Sequence, residues 1–410
     1  MNTLSRRQML AASAAMAAGT LAPRWGLTQE KPDITKLVAG NTAFGCDLYG
    51  QLQSERGNLF LSPFSISTAL AMTAAGAKGK TWEEMEKVLH LPPNAPAAFG
   101  AVLKSLNDEP DAKKRGFTLS TANALWAQKG YPWRPEYKTL VATDFAAGLF
   151  DVDYQTDPET ARATINTWVE KETRDKIKNL LPPGSITMLT RLVLTNAIYF
   201  KGDWDVQFKK EDTKEQPFIL ADGTKKNTPL MFRVGGYNYA ETDRYQVLDL
   251  PYVGKRISMT VILPRKPDGL PAVEKELTGA QLTTLLQSLR YEKQVHVHLP
   301  KFKVEKSFTL NEPLKVLGMR TAFQRDADFS GMHTGGEDLH ITAVIHKAYV
   351  DVNEEGTEAA AATGVVVAPT SVAEPPKPKY FRADHPFLFL IRDLRTQSVL
   401  FMGRLTEPTH

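Results

Sequence analysis

The sequence predicts an α+β fold. Apolar residues at helical spacing concentrate in the first half of the chain, while strand-length apolar runs dominate the second half. No regular strand–helix–strand alternation links the two, so sizeable antiparallel sheets are expected rather than a parallel one. The 410 residues allow one large domain or two ordinary ones. At 42% hydrophobic and 23% charged, the composition is that of a folded globular chain. A net charge of +4 gives no basic face for a nucleic-acid partner. Cys46 is the single cysteine, which excludes an intramolecular disulfide and a cysteine-built zinc site.

In chain order, residues 1–28 read as an address. Arg6 and Arg7 precede a small, Ala-rich run from Ala11 to Ala22, the pattern of a twin-arginine export signal and short linker. The expected location is therefore the periplasm or the extracellular space. No other run is long enough to span a bilayer as a helix, and no membrane partner is expected. Residues 33–54 place Leu37, Phe44, Leu48 and Leu52 on one helical face, with Cys46 beside them as a small core residue. Asn58 to Ser65 reads as a short strand passing into a helix that runs to about Gly76. Thr81 followed by Glu84 has the spacing of a capping box opening a helix to His90. Residues 117–127 read as a strand, and 158–178 as an amphipathic helix stopped by Pro182-Pro183. Arg191 to Phe200 is apolar with Asn196 alone inside it, the profile of a central strand. Tyr245–Leu250, Ile257–Leu263, Gln294–Pro300 and Leu339–Val352 are further strands. Residues 353–379 interrupt this with a long Ala-, Val- and Pro-rich stretch, and loops of that length inside a compact domain usually carry function.

Catalytic and metal motifs are weak. Gly79-Lys80-Thr81 misses a phosphate loop, because Ala74 stands where the first glycine belongs and a helix precedes it. Asp326, Asp328, Ser330 and Glu337 fit a loose calcium-loop spacing, but a strand follows instead of the required second helix. His296 and His298 alternate along a strand and read as a solvated face, two ligands being too few for a metal. Neither a Gly-x-Ser-x-Gly elbow nor a His-Glu-x-x-His pair occurs, so no enzyme constellation is assembled and no metal or cofactor is expected.

Six segments in order carry a family resemblance. Asn58 to Gly79 (NLFLSPFSISTALAMTAAGAKG), Leu194 to Trp204 (LTNAIYFKGDW), Val297 to Val304, Asp326 to Met332 and Ile345 to Ala362 (IHKAYVDVNEEGTEAAAA) resemble the serpins, as does His385 to Gly403. The resemblance spans residues 33–408 and implies a single domain of three β-sheets and about nine helices, with an exposed reactive-centre loop at 354–379. It further implies a suicide inhibitor of serine proteases, expected to act as a monomer. In that family, a protease cleaves the exposed loop and forms an acyl-enzyme. The loop's first half then inserts into the large sheet and traps the enzyme covalently. A non-inhibitory relative acting as a binding or storage protein is the alternative.

Insertion makes a demand that the residues answer. Every second residue of an inserted strand enters the core. Counted from the hinge, the inward set is Thr357, Ala359, Ala361, Thr363, Val365 and Val367, all small or β-branched and uncharged, while Glu358 falls on the outward phase. Glu354, Gly356, Thr357, Glu358, Ala359, Ala360, Ala361, Ala362 and Thr363 form the implied hinge, with Gly356 free of a Cβ. By resemblance, Ser62, Ser65, Asn196 and His346 form the polar cluster beneath the parting strands, and Trp204 the aromatic where the loop first enters. The scissile bond is expected at Thr370-Ser371, with Val367, Ala368 and Val372 as alternatives. No Lys or Arg occurs from Ala348 to Pro376, so a trypsin-like pocket finds no partner and an elastase-like or subtilisin-like target is expected.

Overall fold

In the computed structural model, the described residues are 32–108, 116–335, 339–357 and 377–409. They form nine α-helices: α1 (Ile34–Leu52), α2 (Pro63–Ala74), α3 (Gly79–Leu89), α4 (Ala95–Leu106), α5 (Pro135–Asp144), α6 (Pro158–Glu172), α7 (Leu270–Lys275), α8 (Gly279–Gln287) and α9 (Asn311–Leu317). The strands are β1 (Leu59–Leu61), β2 (Phe117–Gln128), β3 (Gly148–Val152), β4 (Leu192–Asp203), β5 (Lys214–Ile219), β6 (Lys225–Glu241), β7 (Tyr245–Pro251), β8 (Ile257–Pro264), β9 (Arg290–Pro300), β10 (Phe302–Thr309), β11 (Ile341–Val352), β12 (Gly356–Thr357), β13 (Lys379–Arg382), β14 (Phe387–Asp393) and β15 (Ser398–Leu405).

One sheet runs β10-β11-β12-β4-β2-β3 and the other β1-β15-β14-β8-β7-β6-β9-β13, with β5 paired to β6. The expected third sheet is the β5/β6/β9/β13 part of the second. It stays hydrogen-bonded to the rest because β6 is long enough to pair with β9 over most of its length and with β7 at its end. Helix α2 lies between the sheets, against β15 on one side and β4 and β2 on the other. That position explains why all twelve of its residues are buried and why its sequence holds no charged residue. Ser62 caps it by accepting from the Ser65 amide, and Pro63 sits at the first helical position, where a missing N–H costs nothing. Helix α6 crosses the opposite face of the first sheet. There Ala161, Ile165 and Val169 pack with Ala122, Ala124 and Ala197, small residues that let the helix approach the strands.

Two local expectations are corrected. Thr81 and Glu84 do not form a capping box: α3 starts at Gly79, and its N-cap Lys78 makes no side-chain cap. The Thr81 hydroxyl instead accepts from the Asp328 amide, and the Glu84 carboxylate accepts from the Arg320 and Thr321 amides and the Thr321 hydroxyl. Long-range donors outcompeted the local ones. The helix expected over 158–178 ends at Glu172, because Arg174 and Asp175 take the left-handed conformation with φ of 54° and 61° and turn the chain ahead of Pro182. Among the described residues no helix is long and apolar enough to cross a membrane.

Candidate functional site

Strands β4 and β11 meet as a parallel pair, from Ile341 opposite Leu192 to Tyr349 opposite Tyr199. The antiparallel β2–β4 register sets Asn123 opposite Asn196, and Asn196 in turn lies opposite His346. A polar row thus crosses three strands of an otherwise apolar sheet. Its side chains face the start of α2. The His346 Nδ1–H donates to Asn196 Oδ1, and His346 Nε2 accepts from the Ser62 amide at 3.1 Å. Asn196 Nδ2 donates to Ser65 Oγ and to Asn123 Oδ1, each at 2.6 Å, and Ser65 Oγ donates to Asn123 Oδ1 at 2.9 Å. Ser62 Oγ donates to the Leu400 carbonyl of the second sheet.

Both imidazole nitrogens of His346 are committed, one as donor and one as acceptor, which requires the neutral ring. Burial enforces it, pushing the His346 pKa down from 6.5 to about 3. The network therefore ties the two strands of the seam to each other and to the helix beneath. It brings together four expected residues, Ser62, Ser65, Asn196 and His346. Asn123 is a fifth that sequence reasoning missed, because Ser-Thr-Ala-Asn-Ala reads as an ordinary half-solvated strand.

Trp204 lies elsewhere, just beyond the end of β4, at the mouth of the seam. Its ring stacks on Tyr252 with centroids 4.6 Å apart, and its Nε1–H donates to the Asn353 carbonyl at 2.9 Å. The segment after β11 is held there by main-chain bonds. The Trp204 amide donates to Glu355 O, the Phe208 amide to Glu354 O, and the Asn353 amide to Gly356 O. Strand β12 consequently sits between the ends of β4 and β11, with Thr357 opposite Val352 of β11 and Gly202 of β4. Thr357 is fully buried, and its hydroxyl lies 2.8 Å from that of Tyr252.

Gly356 is required at its position. Its φ is +151°, and a Cβ would lie 2.2 Å from the Gly202 carbonyl oxygen. Glu354, 5% exposed, receives Lys301 Nζ at 2.9 Å and Thr213 Oγ1 at 3.0 Å. Burial alone would raise its carboxyl pKa, but Lys301, its own backbone amide and Thr213 outweigh burial and hold it below the ordinary value. Tyr252, Lys301 and Thr213 carried no local sequence signal, since each acts through a partner distant in the chain.

Several expected residues lie outside the described ones. They are the expected hinge residues Glu358, Ala359, Ala360, Ala361, Ala362 and Thr363, the inward Val365 and Val367, the bond Thr370-Ser371 with its alternatives Val367, Ala368 and Val372, Glu337 and the signal at 1–28. Cys46 is a core residue whose thiol burial pushes up to about 12, far from a reactive thiolate. His296 and His298 are not simply a solvated face, because they pack against Phe232 and Tyr380 and are only partly exposed.

The site is thus a sheet closed along a parallel seam, with a buried polar network across that seam and the Gly356–Thr357 strand seated at its end. A family model described as Serpin (serine protease inhibitor) matches residues 39–408, and the chain belongs to the serpin family. It is 42% identical over 380 residues to an uncharacterized serpin-like protein of Thermococcus kodakarensis, covering 93% of this chain and 87% of that one. It is 43% identical over 383 residues to the leukocyte elastase inhibitor of Bos taurus, covering 91% and 100%. The solved structure of Serpin48, described as a highly specific serpin in the insect Tenebrio molitor, matches with a TM-score of 0.82 at 33% identity, covering 93% and 100%. Membership supports protease inhibition, and not catalysis, as the activity.

Proposed function

We propose that this chain is a suicide inhibitor of serine proteases that traps the acyl-enzyme by inserting its cleaved loop between β4 and β11. The observation that carries the reading is the seating of Thr357. The first inward residue of the hinge already occupies a core position between the two strands, in the register that further residues would continue. The next inward positions, Ala359, Ala361 and Thr363, are small enough to follow it.

The resemblance to a leukocyte elastase inhibitor and the absence of Lys or Arg from Ala348 to Pro376 support an elastase-like or subtilisin-like target cut at Thr370-Ser371. Residues 33–408 then act as one monomeric unit. Residues 1–28 serve for export to the periplasm or the extracellular space. Incubation with pancreatic elastase or subtilisin tests the reading. A covalent band at the summed mass that survives denaturant is expected. Clean loop cleavage with free, active protease would show a substrate instead.

A further inference from the structure

At its β6/β9/β13 end the second sheet presents one partly exposed face. Across β6, β9 and β13 the register sets Val234, His296 and Tyr380 in one row and Phe232, His298 and Arg382 in the next. Directly paired residues point to the same side of a sheet. The opposite side takes Val295, Val297, Leu299 and Phe381 into the core, so these two rows face outward. The rings form a continuous surface, with Phe232 and His298 centroids 4.7 Å apart and His296 and Tyr380 4.8 Å apart. Tyr291 extends it by lying over Gly236, where a Cβ would come within 2.1 Å of its hydroxyl. Val234, Tyr380 and Tyr291 stay 43%, 63% and 68% exposed, so three of the large exposed apolar side chains of the described residues gather here. Tyrosine-rich apolar patches of this kind mark interaction surfaces.

The chain itself says what reaches this face. Strand β13 carries Tyr380 and is the edge strand that the loop runs into. From Ser371, beside the expected scissile bond, to Tyr380 is nine residues, at most about 30 Å of extended chain. A protease domain of about 230 residues has a radius of gyration of about 17 Å, so a protease held at that bond has a body comparable in size to the tether. Its flank comes within reach of β13 while its cleft holds the loop. We infer that the face formed by Phe232, Val234, Tyr291, His296, His298 and Tyr380 is a second docking surface for the target protease, contacting its body outside the catalytic cleft through an apolar, aromatic patch. The inference rests on the inhibitor reading above. It adds that partner choice is not set by the loop sequence alone.

The test uses elastase whose nucleophilic serine is replaced by alanine, which can bind but cannot cleave. The dissociation constant is measured for the native chain, for Val234→Ser/Tyr380→Ser and, separately, for Tyr291→Ser, with melting temperatures as the folding control. The expected result is binding by the native chain and at least tenfold weaker binding by the double variant at unchanged melting temperature, with a smaller loss for Tyr291→Ser. Equal affinities overturn the surface, as does no measurable binding by the native chain. A dimer of the native chain that dissolves in the double variant also overturns it, by assigning the face to a second copy. Should the double variant fold poorly, Tyr291→Ser alone decides, and unchanged affinity there counts against the surface. Active elastase in parallel reads the covalent band, so failure of the surface with trapping intact is distinguished from failure of the inhibitor reading.

Discussion

The hydroxyls of Tyr252 and Thr357 lie 2.8 Å apart in a position sealed from water, joining β12 to a residue just past the end of β7. Removing one of two buried partners leaves the other unsatisfied, at a cost of about 1–2 kcal/mol. Tyr252→Phe keeps the ring stacked on Trp204 and deletes only the hydroxyl. The amides of Asn353 and Trp204, which donate to Gly356 and Glu355, should then exchange with deuterium about tenfold faster. Unchanged exchange would mean that the main-chain bonds alone seat the hinge.

Gly356→Ala should eject β12. The new Cβ would meet the Gly202 carbonyl at 2.2 Å, in a backbone conformation unfavourable for alanine. Thr357→Arg should act in the same direction by forcing a guanidinium into a fully buried site. Both variants should slow insertion and turn the inhibitor into a substrate, read as cleaved chain gaining over covalent complex on denaturing gels. Undiminished complex in both would count heavily against the mechanism.

The pH dependence follows from His346. Its pKa in the folded protein, about 3, lies below the 6.5 of the free ring, so the folded state binds fewer protons. Its contribution to stability is complete above about pH 6.5 and is lost as pH falls toward 3. By pH 5 the loss is about 2 kcal/mol. Half-buried His298, also lowered to about 4, and the carboxylates titrate over the same range. The measurement is therefore the difference between the native chain and His346→Gln in urea unfolding at pH 7.5 and pH 5. The variant should be less stable at pH 7.5 and show a shallower fall. Parallel pH profiles would remove His346 from the account.

Cleavage should stabilise the chain. A newly seated strand would fill core positions beside β4 and β11, and a gain of about 5 kcal/mol raises the melting temperature of a domain this size by about 6 °C. The scan compares intact protein with protein nicked by a catalytic amount of subtilisin. A nicked form that melts no higher than the intact one would end the insertion reading.

The elements of the seam were readable in one dimension. An apolar run with Asn196 alone inside it announces a buried strand with a polar duty, and the Ser62-Pro63 step announces a capped helix. Asn123 was not readable in the same way, since its role exists only when β2 pairs with β4 in a register that sets it opposite Asn196. Thr81 and Glu84 show the converse. Their spacing satisfied a local template, yet donors more than 230 residues away took both side chains.

Side-chain pattern therefore determined which segments are strands, where the early helices begin, and that the residues after Gly356 can present small groups to a core. Those properties depend on neighbours a few residues apart, and the order of the chain contains them. Register across strands, the neutral state of His346 and the seating of Thr357 against Tyr252 came only with the tertiary structure. Each depends on groups about 70 residues or more apart whose meeting excludes water, and until water is excluded neither the hydrogen bonds nor the lowered pKa exist.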